Sequence, residues 1–152
     1  MLWSTTVRPL ADAAIGNNGQ KGEAMDDETF ARGLKIRKET LGADYVENAL
    51  GKADDFSMPL QELITEYAWG AVWGREEELP RKTRSLLNLA ILTAINRPHE
   101  LRLHLKGALN NGCTKAEIRE VLLHTAVYAG VPAAVDAFRT AREVFEEVEK
   151  AT

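Results

Sequence analysis

From Asp27 onward apolar residues recur at three- and four-residue steps, short breakers separate the runs, and neither strict alternation nor a long β-branched run occurs. The pattern predicts an all-α fold of about six to seven helices. Phe30, Leu34 and Leu41 mark a first helix over 27–41, capped by Asp26-Asp27 and ended by Gly42, and a short segment over 43–50 follows. After a loop over 51–56, Ser57 is a candidate cap for a helix that carries Pro59 in its first turn and runs to about Trp73. Pro80 opens 81–95, where Leu86, Leu87, Leu89, Ile91, Leu92 and Ile95 are apolar nearly all round, as at a core centre or a subunit interface. Asn96-Arg97-Pro98 breaks the chain, 99–111 is helical, and Gly112 supplies a left-handed C-cap. Thr114-x-x-Glu117 is a capping box that starts a helix striped by Ile118, Val121, Leu122, Thr125 and Ala129. Gly130-Val131-Pro132 restarts the chain into a last helix with Ala134, Phe138, Ala141, Phe145 and Val148 inward. Its Glu143, Glu146, Glu147 and Glu149 read as a solvated face.

Residues 1–25 contrast with all of this. Ile15 to Gly22 is polar and glycine-rich, and no helical stripe crosses the segment, so it reads as a flexible tail ahead of a single domain over 26–152. It lacks the charged start and apolar block of a secretory signal, and one Arg before the glycines is poor for a transit peptide. The composition shift makes Met25 a candidate start.

Composition narrows the class. The 152 residues suit one globular domain able to bury about two-thirds of its unfolded surface. Nineteen Lys and Arg against 23 Asp and Glu leave a net charge of −4, which argues against a broad grip on nucleic acid or an anionic membrane. No apolar run reaches the roughly 18 residues of a membrane span. Cys113 stands alone, so neither an internal disulfide nor a Cys-x-x-Cys pair forms, and a reducing cytoplasm is the expected location. With no basic neighbour nearer than Lys115, the thiol reads as structural or incidental.

Candidate chemistry gathers on 99–111. With Leu101, Leu105 and Ala108 inward, Glu100, His104, Gly107 and Asn111 share one flank. Glu100 and His104, four apart, are placed to touch, which would raise the proton affinity of the imidazole and orient it, while Gly107 would leave open surface beside it. The plainer alternative is a polar helix edge with an ordinary ion pair. His99 and His104 are five apart, about 140° around the helix, so they do not share a metal and none is assigned. Glu117, His124 and Tyr128 fall along one edge of the next helix, either facing a pocket or closing a boundary. On the 57–73 helix Leu60, Leu63, Ile64, Tyr67 and Ala71 make one apolar face and Trp69 and Trp73 another, to pack in an interface or wall a ligand. Positive charge concentrates between Arg81 and Lys106. Arg102 and Lys106 read as surface charges, whereas Arg84 and Arg97 flank the apolar central helix and are the favoured anion holders.

Seven blocks then carry a resemblance. Ala31-Arg32-Gly33-Leu34-Lys35-Ile36-Arg37, Glu66-Tyr67-Ala68-Trp69-Gly70-Ala71-Val72-Trp73, Thr83-Arg84-Ser85-Leu86-Leu87-Asn88-Leu89 and Asn96-Arg97-Pro98-His99-Glu100-Leu101 are four of them. His104 with Ala108-Leu109-Asn110-Asn111-Gly112, Glu117-Ile118-Arg119-Glu120-Val121-Leu122, and Tyr128-Ala129-Gly130-Val131-Pro132-Ala133-Ala134 are the others. In order and without large gaps over 25–147, they resemble the carboxymuconolactone decarboxylase family of the alkyl hydroperoxidase D-like superfamily. The resemblance implies that all-helical oligomeric fold, a hexamer built as a trimer of dimers, and decarboxylation of gamma-carboxymuconolactone to the enol-lactone of 3-oxoadipate in protocatechuate catabolism. The substrate is a dicarboxylate lactone that acts as its own electron sink, so no cofactor is expected. His104, with Glu100, is the expected proton donor, Arg84 and Arg97 the carboxylate holders, His99 a second candidate at the lactone oxygen, and Trp73 and Tyr128 the apolar walls. Thiol peroxidases of the superfamily place cysteines where this chain has Arg97 and Glu100, and a glutamate at Ser85, which disfavours that activity. Members that carry cysteine where Ala68 and Ala129 stand do not need it if this chain is active. The alternatives are action on another lactone and an oligomeric, non-thiol carboxylate-binding protein.

Overall fold

A computed structural model describes residues 26–151; the expected tail over 1–25 and the candidate start at Met25 lie outside the described residues. Among the described residues the helices are α1 (Asp27–Leu41), α2 (Ala43–Gly51), α3 (Met58–Leu63) running into a π-helical segment (Ile64–Val72), α4 (Arg81–Ala94), α5 (Pro98–Asn110), α6 (Lys115–Ala129) and α7 (Val131–Lys150).

The boundaries follow local chemistry. The Asp26 carboxylate accepts the Glu28 N–H at 3.3 Å to open α1, and Gly42, at φ 96°, closes it. Thr114 and Glu117 form both halves of the capping box on α6, with Gly112 at φ 80° turning the chain before it. Lys82, 2.8 Å away, and the Thr114 N–H hold the Glu117 carboxyl down at about 2. Ser57 does not cap α3. Its hydroxyl donates to the Asp54 carboxylate at 2.7 Å, which closes the preceding turn on itself.

The helix expected over 57–73 is α-helical only to Leu63. Beyond it the turns widen, and the Trp73 N–H reaches the Ala68 carbonyl at 2.9 Å. This segment packs closely on α1. A Cβ on Gly33 of α1 would lie 2.0 Å from the Thr65 carbonyl oxygen, and one on Gly70 would lie 2.3 Å from the Thr29 carbonyl oxygen. Only paired glycines allow so close a backbone approach. Arg32 Nε donates to the Gly70 carbonyl at 3.3 Å across the same contact.

Two cores result. The larger lies among α4, α5, α6 and α7, around Leu89, Leu101, Leu105, Ile118, Leu122 and Val144. The smaller lies among α1, α2 and the π segment, around Ile36, Leu41, Val46, Trp69 and Trp73. Helix α5 joins them, since Leu105 fills the first and Leu103 packs against the second. The carboxylates of α7 are exposed, as expected of a solvated face, and three of them also pair across helices. Arg102 donates to Glu143 and Glu147, Lys106 lies 3.0 Å from Glu147, and Lys115 pairs with Glu149, so these charges tie α7 to α5 and α6.

Candidate functional site at the seam of the two cores

His104 stands on α5 where the two cores meet. Its ring stacks on Trp69, with centroids 6.4 Å apart and planes 6° from parallel, and Trp69 in turn leans on Trp73 at 4.5 Å. Both indoles are buried, at 4% and 7% exposure, so of the two apolar faces on this helix theirs turns inward. The outward face, with Leu60, Leu63 and Tyr67, stays exposed. Across from the indoles, Asn88 of α4 brings Nδ2 to 3.4 Å from His104 Nδ1. An amide that donates there leaves the ring proton on Nε2. Burial pushes the His104 pKa below the ordinary 6.5, with only the field of Glu100 opposing it.

Glu100 acts in the expected direction but does not decide the shift. It is exposed, makes neither hydrogen bond nor ion pair to His104, and its field is outweighed by desolvation. Gly107 is also the opposite of open surface. It is buried against α1, where a Cβ would meet Thr40 Cγ2 at 3.1 Å and Leu41 Cδ2 at 3.2 Å. The flank of α5 instead continues as a polar relay. Asn111 Nδ2 donates to Ser85 Oγ at 3.0 Å, and Asn110 Nδ2 to the Thr40 carbonyl at 2.8 Å.

The cations separate. Arg84 is committed to main chain, donating from Nε to the Leu79 carbonyl at 3.0 Å and from Nη2 to the Arg75 carbonyl at 2.9 Å, and so braces the loop before α4. Arg97 is exposed at the N-cap of α5, behind Asn96 at φ 54°, and its guanidinium has no hydrogen-bond or ion-pair partner among the described residues. His99 is exposed in the first turn of α5. Tyr128 leans on His124, with ring centroids 4.6 Å apart, and is 79% exposed. Cys113 is buried, with Sγ 3.6 Å from the Lys82 carbonyl, and burial raises its pKa, as suits a packed and unreactive thiol. Among the described residues no three His, Cys, Asp or Glu side chains cluster as metal ligands.

Sequence reasoning missed Asn88 and did not pair Trp69 with His104. Both partners come from other helices, and the one available signal was their presence in the resembling blocks.

This all-helical chain, with a half-buried histidine stacked on the Trp69 indole, belongs to the carboxymuconolactone decarboxylase family, whose model matches residues 59–143. It is 44% identical over 123 residues, 81% of the chain and 91% of the relative, to 4-carboxymuconolactone decarboxylase of Acinetobacter baylyi. It is 47% identical over 130 residues, 83% of the chain and 90% of the relative, to nitrosuccinic acid decarboxylase of Metarhizium robertsii. Peroxisomal protein 2 of Schizosaccharomyces pombe is 31% identical over 109 residues, 70% of the chain and 51% of that protein.

Proposed function

We propose that this chain is a carboxy-lyase that converts gamma-carboxymuconolactone to the enol-lactone of 3-oxoadipate and carbon dioxide. The observation that carries the reading is a half-buried histidine stacked on an indole, its pKa lowered by burial, within a chain nearly half identical to two decarboxylases. As the C–C bond to the carboxylate breaks, its electron pair passes through the alkene into the lactone carbonyl, giving a dienolate. One proton delivered to carbon completes the product. His104 is the assigned donor, through Nε2. The two substrate carboxylates raise its proton affinity on binding, which loads the imidazole before the dienolate forms. Arg97, with a free guanidinium, is the assigned carboxylate holder, and Arg84 supports it by fixing the loop before α4. Trp69 and Trp73 favour the loss of charge as carbon dioxide departs.

Nitrosuccinate is the second reading, favoured by the Metarhizium relative. It too is a dicarboxylate whose leaving carboxylate lies beside an oxygen-terminated electron sink. Following carbon dioxide release from each compound separately tests both. Faster release from the lactone is expected, and release from neither would overturn the proposal.

The state of His104 gives a pH prediction. In the ligand-free protein Trp69 emission falls as the stacked imidazole gains its proton, so the fluorescence midpoint should lie below 6.5 and rise when a dicarboxylate binds. A midpoint above 6.5 without ligand would contradict the assigned burial. The sign for stability follows. The unfolded chain takes up this proton from about pH 6.5 downward while the folded chain resists it, so acidification through that range destabilises the protein.

The same proposal includes a homo-oligomer, a hexamer arranged as a trimer of dimers, in the cytoplasm. Leu123, Val127 and Tyr128 on α6, Leu87 and Ile91 on α4, and Leu60, Leu63 and Tyr67 on the tryptophan helix are exposed apolar side chains that an interface would cover. If α6 is an interface, Tyr128 reaches a site only across it. Val127, 80% exposed, should tolerate Val127→Glu in a lone subunit, so the substitution is expected to lower the mass found by light scattering. An unchanged mass would remove this face from the assembly. No helix among the described residues is long and apolar enough to cross a membrane.

A further inference from the structure

Arg37 is a buried cation that the reaction as described does not use. It lies on α1 at 4% exposure, and its Nε has no hydrogen-bond partner among the described residues. Burial lowers its pKa with only Tyr45 opposing, so no carboxylate compensates the charge. An uncompensated buried charge is unfavourable, and an apolar side chain of similar length would serve the core better. The guanidinium does something else. Nη1 donates to Thr65 Oγ1 at 2.9 Å and Nη2 to Gln61 Oε1 at 2.8 Å, while Thr65 Oγ1 donates to the Gln61 carbonyl at 2.7 Å.

Those partners straddle the junction between α3 and the π segment. A π turn is less favourable than an α turn, and relaxing it would swing the side chains beyond it by up to one α-helical step, roughly 100°. Trp69 is one of those side chains. Its parallel stack on His104 therefore exists only in the π register. Helix α1 also fixes the other half of the geometry, because the Thr40 carbonyl, one turn past Arg37, accepts from Asn110 of α5.

We propose that Arg37 is a positioning residue for the decarboxylation: its guanidinium pins Gln61 and Thr65 at the α–π junction and so sets the register that lays Trp69 over His104. This rests on the reading of His104 as the proton donor. Two variants test it, Arg37→Met, which removes the fork and the charge, and Thr65→Val, which keeps the charge and removes one anchor. The readouts are kcat, KM and the exciton couplet that the closely packed Trp69 and Trp73 indoles give in circular dichroism. For Arg37→Met, kcat should fall about ten- to hundredfold with KM within about twofold, and the couplet should collapse. Thr65→Val should show both changes in smaller measure, a loss of about three- to tenfold in kcat. Wild-type kcat in a folded Arg37→Met protein overturns the proposal. So does a raised KM with kcat preserved, which would make Arg37 a substrate holder, or a lost kcat with an intact couplet. Should Arg37→Met fail to fold, Thr65→Val with unchanged kcat and couplet is the overturning result. Failure of the His104 reading is separate, since it appears as turnover retained in His104→Ala, whereas the couplet reports geometry without catalysis.

Discussion

His104→Ala is expected to lower kcat for gamma-carboxymuconolactone by about a hundredfold or more, the range for loss of a general acid, with the helical content and the assembled mass unchanged. The truncation empties a stack against Trp69 and removes one 3.4 Å contact to Asn88, neither of which holds a helix in place. Leu101 and Leu105 on the same helix keep α5 anchored in the larger core. Because the imidazole acts on the transition state, kcat and kcat/KM should fall together. Turnover near the wild-type rate would remove His104 from the chemistry and with it the proposed mechanism. Glu100→Gln is the informative companion. The carboxylate touches nothing on the ring, so it should change the rate by less than about threefold, against the large loss that a directly coupled pair would show.

Gly33→Ala is expected to be the most damaging small substitution to stability. A Cβ there would sit 2.0 Å from the Thr65 carbonyl oxygen and 2.6 Å from the Gly70 nitrogen, and both obstacles are main chain. Since no flexible side chain is present to yield, α1 and the π segment must separate. The cost belongs at or above the upper end of overpacking, about 3 kcal/mol, and should lower Tm by roughly 10 °C. Gly51→Ala is the control, because it lies in a helix with nothing within 4 Å of its added Cβ and should be neutral or slightly stabilising. Equal melting temperatures for the two variants would mean that the helices are not in backbone contact at Gly33.

Both predictions concern the same seam, and both depend on pairs far apart in the chain. Some of the fold was legible without them. The capping box at Thr114, the turns at Gly42 and Gly112 and the inward stripe of Leu101, Leu105 and Ala108 were read correctly, because each is set by residues within a turn or two. The misreadings share one cause. Glu100 was joined to His104 because helical spacing allows it, but side chains four apart are only permitted to meet, and Glu100 turns to solvent. Gly107 was taken for open space because it lacks a side chain, yet the missing side chain is what admits Thr40 and Leu41 of α1. Arg84 is expected at an anion because it flanks the apolar central helix, and sequence alone does not show that its guanidinium donates to two nearby carbonyls.

By itself the sequence determined the helices outside 57–73, the caps at Asp26 and Thr114, the breaks between helices, and through its seven blocks the family, since these rest on local periodicity and residue identity. The tertiary structure decided three further things: which face of the tryptophan helix turns inward, that this helix widens into a π register, and that His104 sits between Trp69 and Asn88, where burial lowers its pKa. Each depends on packing against a helix distant in the chain, and on how much water that packing removes, which no local pattern encodes.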